Sequence, residues 1–446
     1  MRALLTGLCR LLLRIFFRRI DSVGAERVPA DAPTLYVLNH PNALLDPLFI
    51  LCLSPRPVTF LAKAPLFSTF LVKHFVRAFE CLPVYREQDG HDPSNNQASV
   101  AASIALLASG KALALFPEGT SHSDPSLRPL KSGAARIALS SSAATEGRAP
   151  APVQIVPVGL DYTDKTRFRS NARLVYGEPI ETPRVELDDA AQPPRAAAIA
   201  LTEAIDAALA SVTVQAQTHE LIQLARAAAR ILSAAERDEL APGPSPAAPA
   251  SSELERRLIR GYERLREGSR HDHIQAVIAR VRAYEAELTR FGMPLDHPAT
   301  LERWAAIRYG LGRITALAVL LGPALVGVVT HYPAYRAIDW LAHRVAKAST
   351  DVLATLKLIA GLLLFPLTWA ALAIAAGLTL GWAWAGLVLV LGPACGLAAL
   401  LFTEQLADFI GRARGAWMLG TRRDLGPFLL SERQAIRAAI VELDLG

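Results

Sequence analysis

The chain has 446 residues, of which 52% are hydrophobic and 20% are charged, and its formal net charge is +6. This length allows roughly two to four domains, and so apolar a composition excludes a disordered or collagen-like chain and argues against a purely soluble enzyme. The four cysteines lack CxxC spacing, which argues against a disulfide scaffold or a zinc ribbon. Five of the six excess positive charges are arginines among the first twenty residues, so the basic balance indicates an anionic membrane rather than nucleic acid.

The first residues predict an amphipathic helix. Arg10, Arg14 and Arg18 recur at i, i+4 and i+8 on one helix face, opposite a surface of Leu, Ile and Phe. This pattern is typical of a helix that lies in a membrane interface, and an amphipathic helix docked on its own domain is the alternative. A cleaved signal peptide is not expected, because arginines interrupt the apolar run and no A-x-A site follows. We expect the interface helix within residues 1–24.

The middle of the chain alternates between strand-like and helix-like segments. Short apolar runs of the buried-strand type lie at 34–38, 58–62, 112–116 and 153–160, with a further strand predicted at 173–176. Helix-length stretches lie between them, around 47–53, 64–77, 96–109 and 131–143. This alternation predicts an α/β domain. A helical region at 186–300 follows, and a Pro/Ala/Ser linker at 241–251 interrupts it.

The strongest hydrophobicity lies near the carboxyl end. Residues 358–403 form a run of 46 without Asp, Glu, Lys, Arg or His, long enough for two transmembrane helices that reverse near Gly377 and Gly381. Residues 314–330 are also uncharged, but Gly322-Pro323 interrupts them and basic residues flank both sides. We therefore predict a membrane region at 301–410 with a hairpin at 358–403 and a partial span at 314–330, followed by a tail at 411–446.

A histidine and an aspartate lie close together in the run NHPNALLD at 39–46, directly after a predicted strand. His40 at the end of a strand can face a cleft, and a nearby carboxylate fixes its tautomer and raises its basicity, as a general base for an alcohol requires. The alternative is that Asp46, which precedes Pro47, only caps a helix. The spacing alone leaves both interpretations open.

A second polar motif, FPEGTSHS at 116–123, follows another predicted strand. Gly119 allows close backbone approach, and Thr120 or Ser121 can open a helix, so this turn presents N–H groups suited to a phosphate. Lys131 lies a little downstream, and PVYR at 83–86 supplies Arg86 after another short apolar segment. Arginine suits bidentate phosphate binding. As alternatives, Arg86 is a solvated surface residue and Ser121 only a cap. The absence of GxSxG argues against a hydrolase nucleophile elbow.

These motifs occur in a recognisable order. The chain resembles the glycerol-phosphate/lysophosphatidate acyltransferase family in four blocks, NHPNALLD (39–46), PVYR (83–86), FPEGT (116–120) and IVPVG (155–159). Most of that family has four residues between the histidine and the aspartate, whereas five separate His40 from Asp46 here. The longer spacing and the segments LKSG (130–133), FRS (168–170) and DVLATLK (351–357) are similar to the eukaryotic-type glycerol-3-phosphate/dihydroxyacetone-phosphate acyltransferase branch.

The resemblance implies a mixed β-sheet flanked by helices in a catalytic domain at 25–185. It implies that His40 deprotonates an acceptor hydroxyl, that Asp46 orients the imidazole, and that the acyl group moves directly from acyl-CoA or acyl-carrier protein. Glu118 would contact a substrate hydroxyl or orient Arg86. For Lys131 and Arg169, an exposed charge without a substrate is the alternative. The substrate-binding residues implied are Arg86, Glu118, Gly119, Thr120, Ser121, Lys131 and Arg169.

The implied reaction is acylation of the sn-1 hydroxyl of glycerol 3-phosphate, or of dihydroxyacetone phosphate, in phospholipid biosynthesis. Acylation of lysophosphatidate at sn-2 or of another lipid alcohol or amine, a thioesterase and a non-enzymatic membrane scaffold are the alternatives. We expect no metal or redox cofactor, because no His/Cys/Asp cluster has ligand spacing. The expected partners are an acyl thioester donor, a glycerol-phosphate or lysolipid acceptor and an anionic membrane, with the catalytic domain on its cytoplasmic face. The oligomeric state stays open.

Overall fold

A computed structural model describes residues 2–69, 72–86, 90, 92, 95–143, 151–240, 252–300, 303–346 and 350–443. The chain divides into two compact units. The first comprises Met1–Gln215 with Val345–Leu358, and the second comprises Ala216–Arg344 with Ile359–Gly446. The linker predicted at 241–251 lies outside the described residues.

The first unit is built on one sheet, which has eight strands within the described residues. The strand order is β1-β7-β6-β2-β5-β3-β4, with β8 beside β6. Strand β6 pairs antiparallel with β7 and β8, whereas the other neighbours pair in parallel, so the predicted α/β fold with a mixed sheet is confirmed. The strands are β1 (Arg19–Val23), β2 (Thr34–Leu38), β3 (Val58–Lys63), β4 (Leu82–Val84), β5 (Ala112–Leu115), β6 (Gln154–Tyr162), β7 (Asn171–Tyr176) and β8 (Ile180–Glu181).

Helices pack on both faces of this sheet, because successive side chains of a strand point to opposite sides. Along β2, Tyr36 and Leu38 enter a core shared with the first three helices, while Leu35 and Val37 enter a core shared with the next three. Burial on both faces explains why these strands read as continuous apolar runs. The helices are α1 (Arg2–Phe16), α2 (Leu45–Leu53), α3 (Val72–Ala78), α4 (Asn96–Ala108), α5 (Gly133–Ser142) and α6 (Arg195–Val212).

Helix α6 belongs to the first unit, which continues to Gln215, past the boundary predicted between residues 185 and 186. Its buried side chains, including Leu201 and Leu209, join the core on the sheet. The end of α6 lies so close to Gly159 on β6 that a Cβ there would overlap the carbonyl group of Val212. The glycine of the IVPVG block therefore has a packing role.

The strand order brings three loops to one edge of the sheet. Strands β2 and β5 are parallel neighbours with Val37 opposite Leu115, so the loops that begin after Leu38 and Leu115 start side by side. Strand β3 lies on the other side of β5, and β4 pairs with β3 in parallel. Ligand sites in open α/β sheets commonly lie at the carboxyl ends of strands, and this edge carries the polar motifs that follow β2, β4 and β5.

Three long helices carry the apolar sequence near the carboxyl end, namely α10 (Arg303–Ala346), α11 (Thr350–Leu380) and α12 (Trp382–Thr421). Each is long and apolar enough to cross a membrane, judged by length and composition alone. The partial span predicted at 314–330 is instead the middle of α10, which continues through Pro323 and Pro333. Helices α11 and α12 are separated at Gly381, one of the two glycines predicted to mark the reversal.

The remaining helices of the second unit are α7 (His219–Leu240), α8 (Ser252–Leu265), α9 (His271–Phe291) and α13 (Leu425–Glu442). Within the tail predicted at 411–446, α12 continues to Thr421, and α13 follows it and packs into this unit. Arg433 of α13 is 1% exposed and donates hydrogen bonds to the Asp238 carboxylate and the Tyr284 hydroxyl. A buried arginine with charged and polar partners fixes α13 against α7 and α9.

Candidate active site

The structure brings His40 and Asp46 into contact at the carboxyl end of β2. His40 Nδ1 lies 2.8 Å from Asp46 Oδ2. Residues 41–44 form a turn and Leu45 begins α2, so Asp46 is the second residue of the helix and the longer spacing still brings it to His40. Asn39 fixes the start of this loop, because its side chain both donates to and accepts from the backbone of Leu160 on β6.

The Asp46 carboxylate is fully buried, and hydrogen-bond donors contact both of its oxygens. Oδ2 accepts from the Asn42 backbone N–H at 2.7 Å as well as facing His40, and Oδ1 accepts from the Tyr162 hydroxyl at 2.5 Å. Burial raises the pKa of Asp46 above its ordinary value, and the hydrogen bonds from His40, Tyr162 and Asn42 oppose that rise. Burial and the neighbouring carboxylate also raise the pKa of Tyr162, which keeps this hydroxyl a donor.

The imidazole of His40 is fixed from a second direction by the FPEGTSHS motif. The Phe116 ring stacks on the imidazole with centroids 3.6 Å apart and planes 5° from parallel. The backbone N–H of His40 donates to Glu118 Oε1 at 2.9 Å, and the N–H of His122 donates to the His40 carbonyl. The histidine side chain keeps 13% of its surface exposed, so the ring edge remains accessible while its plane is held.

Glu118, predicted to contact a substrate hydroxyl or to orient Arg86, directs its carboxylate to the backbone of His40 and to the His122 ring. Its side chain is fully buried. Oε1 binds the backbone of His40, and Oε2 accepts from the Arg128 backbone N–H and contacts His122 Nε2. The Asp124 backbone N–H donates to His122 Nδ1, which assigns the ring proton to Nε2 as the donor to Glu118. The carboxylate therefore joins the two motif loops.

Two of the predicted cations meet at Gly119. Arg86 Nη1 donates to the Gly119 carbonyl at 2.8 Å. Gly119 has a φ of +77°, which favours glycine, and a Cβ there would lie 2.9 Å from Lys131 Nζ. A guanidinium and an ammonium beside one half-buried turn form a site suited to a phosphate dianion.

Thr120 and Ser121 continue this turn. Ser121 Oγ donates to the Asp351 carboxylate at 2.6 Å, and Thr120 Oγ1 makes a long contact of 3.4 Å with the Ser121 carbonyl. Lys165 ties the same loop to the histidine loop, because its Nζ donates to the Pro41 carbonyl at 2.8 Å and to Ser123 Oγ at 2.7 Å. Burial lowers the pKa of Lys165.

Arg169, a predicted substrate-binding residue, contacts the end of α1. Its guanidinium donates to the carbonyls of Arg14, Ile15 and Phe17, where α1 ends. Its own backbone has a φ of +64° and donates to the Phe16 carbonyl. Because the last carbonyls of a helix have no partners within the helix, this arginine caps α1.

The arrangement is suited to general-base chemistry at the Nε2 atom of His40. With Nδ1–H directed to Asp46, the Nε2 lone pair is available for a proton, and the buried carboxylate stabilises the imidazolium that forms. Within the part of the chain that the structure describes, no group of three or more His, Cys, Asp or Glu side chains has the arrangement of a metal site.

Three contributors were not predicted from the sequence. Tyr162 stands at the end of a predicted strand, but its pairing with Asp46 spans 116 residues. Asp351 falls within the quoted DVLATLK segment, yet nothing in that segment indicates Ser121 as its partner. Lys165 lies in a loop without a motif. Its place near the end of a buried strand was the available signal for Tyr162.

The chain is similar to known acyltransferases in sequence. The sequence model of the family described as Acyltransferase matches residues 19–161, and that of the Glycerol-3-phosphate acyltransferase 2 C-terminal domain matches residues 231–440. The chain is 27% identical to an uncharacterised acyltransferase of Schizosaccharomyces pombe, over 80% of this chain and 66% of that protein. It is 30% identical to glycerol-3-phosphate O-acyltransferase 2 of Saccharomyces cerevisiae, over 57% of this chain and 35% of that protein.

The chain thus spans about a third of the length of the Saccharomyces cerevisiae relative and just under two thirds of that of the Schizosaccharomyces pombe relative. Among solved structures, the 1-acyl-sn-glycerophosphate acyltransferase PlsC of Thermotoga maritima aligns with 46% of this chain and 78% of its own. The TM-score is 0.33 and the sequence identity 19%.

Proposed function

We propose that the chain is an O-acyltransferase of glycerolipid synthesis, a function supported by its similarity to the Acyltransferase family and to a glycerol-3-phosphate O-acyltransferase. The specific reaction proposed is transfer of a fatty acyl group from acyl-CoA or acyl-carrier protein to the sn-1 hydroxyl of glycerol 3-phosphate or dihydroxyacetone phosphate. The observation that carries this proposal is the 2.8 Å contact between His40 Nδ1 and the buried Asp46 carboxylate, beside a turn with two cations.

The proposed mechanism begins when His40 Nε2 removes the proton from the acceptor hydroxyl. The resulting alkoxide attacks the thioester carbonyl, the C–O bond forms, and the C–S bond breaks to release the thiolate. The imidazolium then returns its proton to that thiolate, so no acyl-enzyme is required. Asp46 stabilises the imidazolium, while Phe116 and Glu118 keep the ring and its backbone in place.

Arg86 and Lys131 are proposed to bind the phosphate of the acceptor. Both cations lie against Gly119, and the turn that follows carries Thr120 and Ser121, whose hydroxyls suit the glycerol part. A phosphate held at this turn orients its hydroxyl toward a base, and such orientation is a major contribution to bimolecular transfer. Arg169 has no part in this proposal, because it caps α1.

A membrane location is proposed for the reaction. The three long apolar helices and the exposed Leu4, Leu8 and Leu11 on α1 support it. An acyl chain favours an apolar phase by about 0.8 kcal/mol per buried CH₂, so an anchored enzyme passes its product into the bilayer without crossing water. Basic residues flank the apolar run at 358–403, as the positive-inside rule expects of cytoplasmic segments, which supports a cytoplasmic catalytic domain.

The experiment uses membranes that contain the protein, labelled acyl-CoA or acyl-carrier protein, and one acceptor at a time. Transfer to glycerol 3-phosphate or dihydroxyacetone phosphate, with little to lysophosphatidate, is the expected result. A preference for lysophosphatidate would overturn the assignment of the sn-1 hydroxyl as acceptor, whereas the proposal that the protein is an acyltransferase would stand. Release of free fatty acid without any acceptor would favour a thioesterase that uses the same pair on water.

A further inference from the structure

The first two turns of α11 contact the loops that carry the active-site motifs. Residues 350–358 of this helix belong to the first unit, although its remaining length belongs to the second. Ala354 is fully buried there and joins the same core as Leu45 and Phe49 of α2. The helix therefore contributes one face to the unit that holds His40 and Asp46.

Two backbone N–H groups of the loop between His40 and Asp46 find their partners on this face. The N–H of Ala43 donates to the Asp351 carbonyl at 3.1 Å, and the N–H of Leu44 donates to Thr355 Oγ1 at 3.1 Å. A buried N–H without an acceptor is costly, so these two contacts restrict the loop to one conformation. The loop is the segment that contains one residue more than most of the family has.

The same face also contacts the loop after β5. Ser121 Oγ donates to the Asp351 carboxylate, and Ser123 Oγ lies 2.6 Å from Thr350 Oγ1. In a different loop, between β6 and β7, the Thr166 carbonyl accepts a hydrogen bond from Lys357 Nζ at 3.1 Å. Helix residues 350, 351 and 355 therefore hold both the loop that carries His40 and the loop that follows β5.

We propose that Asp351 and Thr355 are positioning residues, which fix the His40–Asp46 loop and the Ser121 hydroxyl through the contacts of α11. The changes in kcat expected below rest on the proposed acyltransferase function, whereas the changes in hydrogen exchange do not. Neither residue touches the imidazole, so each acts through the loop that it holds. A displacement of about 1 Å in a reacting group lowers the rate by roughly 100-fold, which sets the scale expected for releasing this loop.

The first variant pair tests Thr355. Thr355→Val keeps the β-branched shape but removes the acceptor for Leu44, whereas Thr355→Ser keeps the hydroxyl. Thr368→Val is the matched control in the same helix, because the Thr368 hydroxyl donates to the Leu364 carbonyl of its own helix. We expect a roughly 10- to 100-fold lower kcat and a KM within about twofold for Thr355→Val, with kcat restored in Thr355→Ser and unchanged in the control.

The second variant pair tests Asp351, the second residue of α11. Asp272 is the second residue of α9 and is exposed, so Asp272→Ala controls for the loss of an acidic side chain from the first turn of a helix. Asp351→Ala is expected to lower kcat and Asp272→Ala to leave it unchanged. In the double variant with Ser121→Ala, the two losses should not add, because the residues contact each other.

Hydrogen exchange on the full-length protein in detergent provides a readout that does not depend on activity. The amide of Leu44 should exchange about tenfold faster in Thr355→Val than in wild type or Thr368→Val, with unchanged exchange in β2. Wild-type exchange and kcat in Thr355→Val, or additive losses for Asp351 and Ser121, would overturn the proposal. If wild type transfers no acyl group while Leu44 exchange rises as expected, the proposed function fails and the positioning role stands. Should Thr355→Val fold poorly, Thr355→Ala, which also removes the acceptor for the Leu44 amide, decides by the same exchange measurement.

Discussion

The Tyr162 hydroxyl should contribute measurably to stability because it serves a buried carboxylate. Within the described residues, Asp46 Oδ2 accepts from Asn42 and His40, whereas Oδ1 has Tyr162 as its donor. Tyr162→Phe keeps the ring and its contacts with Phe17, so the substitution removes one donor and leaves no significant cavity. A hydrogen bond to a charged group contributes about 1.5–3 kcal/mol, which is the expected loss in the free energy of unfolding at neutral pH.

The matched control is Tyr176→Phe in the same core. The Tyr176 hydroxyl is buried and has no hydrogen-bond partner among the described residues. Removing a hydroxyl that lacks a partner should leave stability unchanged or raise it. For a unit of this size, 1 kcal/mol corresponds to about 2–4 °C in Tm, so Tyr162→Phe should unfold roughly 3–12 °C below wild type.

The assay is thermal unfolding of detergent-solubilised protein, followed at pH 7 and again at acid pH. The difference between Tyr162→Phe and wild type should shrink in acid, because a protonated Asp46 needs its donors less than a carboxylate does. Equal Tm values for Tyr162→Phe and Tyr176→Phe would refute the reasoning. So would a deficit in Tyr162→Phe that does not depend on pH.

Other substitutions test separate parts of the account. Asp46→Asn should lower kcat by about 10²–10⁴-fold in activity assays. Because the pKa of Asp46 is raised in the folded protein, the stability of wild type should fall as the pH rises from about 4 through that raised pKa. Melting at several pH values should show this fall in wild type and not in Asp46→Asn. Lys131→Met should raise the KM for the phosphate-bearing acceptor about tenfold with a smaller change in kcat, and equal losses with a phosphate-free acceptor would contradict phosphate binding. Arg169→Met should lower the Tm by a few degrees through the lost cap of α1 and leave that KM unchanged, whereas a raised KM would restore the predicted substrate role.

The strands at the centre of the sheet could be predicted because their local sequence is unambiguous. Runs such as TLYVL at 34–38 are apolar on both faces and bounded by turn residues, and the structure places β2 there. The proximity of His40 and Asp46 was also predictable, since both lie in one short loop that enters α2. Strand β1 was not predicted, because its sequence RIDSV is polar and partly exposed.

Contacts between distant segments could not be read from the sequence. The partners of Asp46 and Ser121 on Tyr162 and Asp351 lie 116 and 230 residues away, and no periodic pattern specifies such pairs. The continuity of α10 was missed for another reason. Pro323 removes one hydrogen bond from a helix interior, but the surrounding apolar turns sustain the helix through it.

His40 is proposed to be the general base of an acyl transfer. The most direct test compares wild type, His40→Ala and His273→Ala in the transfer of labelled acyl groups to glycerol 3-phosphate. His273 is an exposed residue of α9 in the second unit, which makes it the matched control. The account predicts a loss of about 10²–10⁴-fold in kcat for His40→Ala and wild-type activity for His273→Ala. Acyl transfer at the wild-type rate in His40→Ala would contradict it.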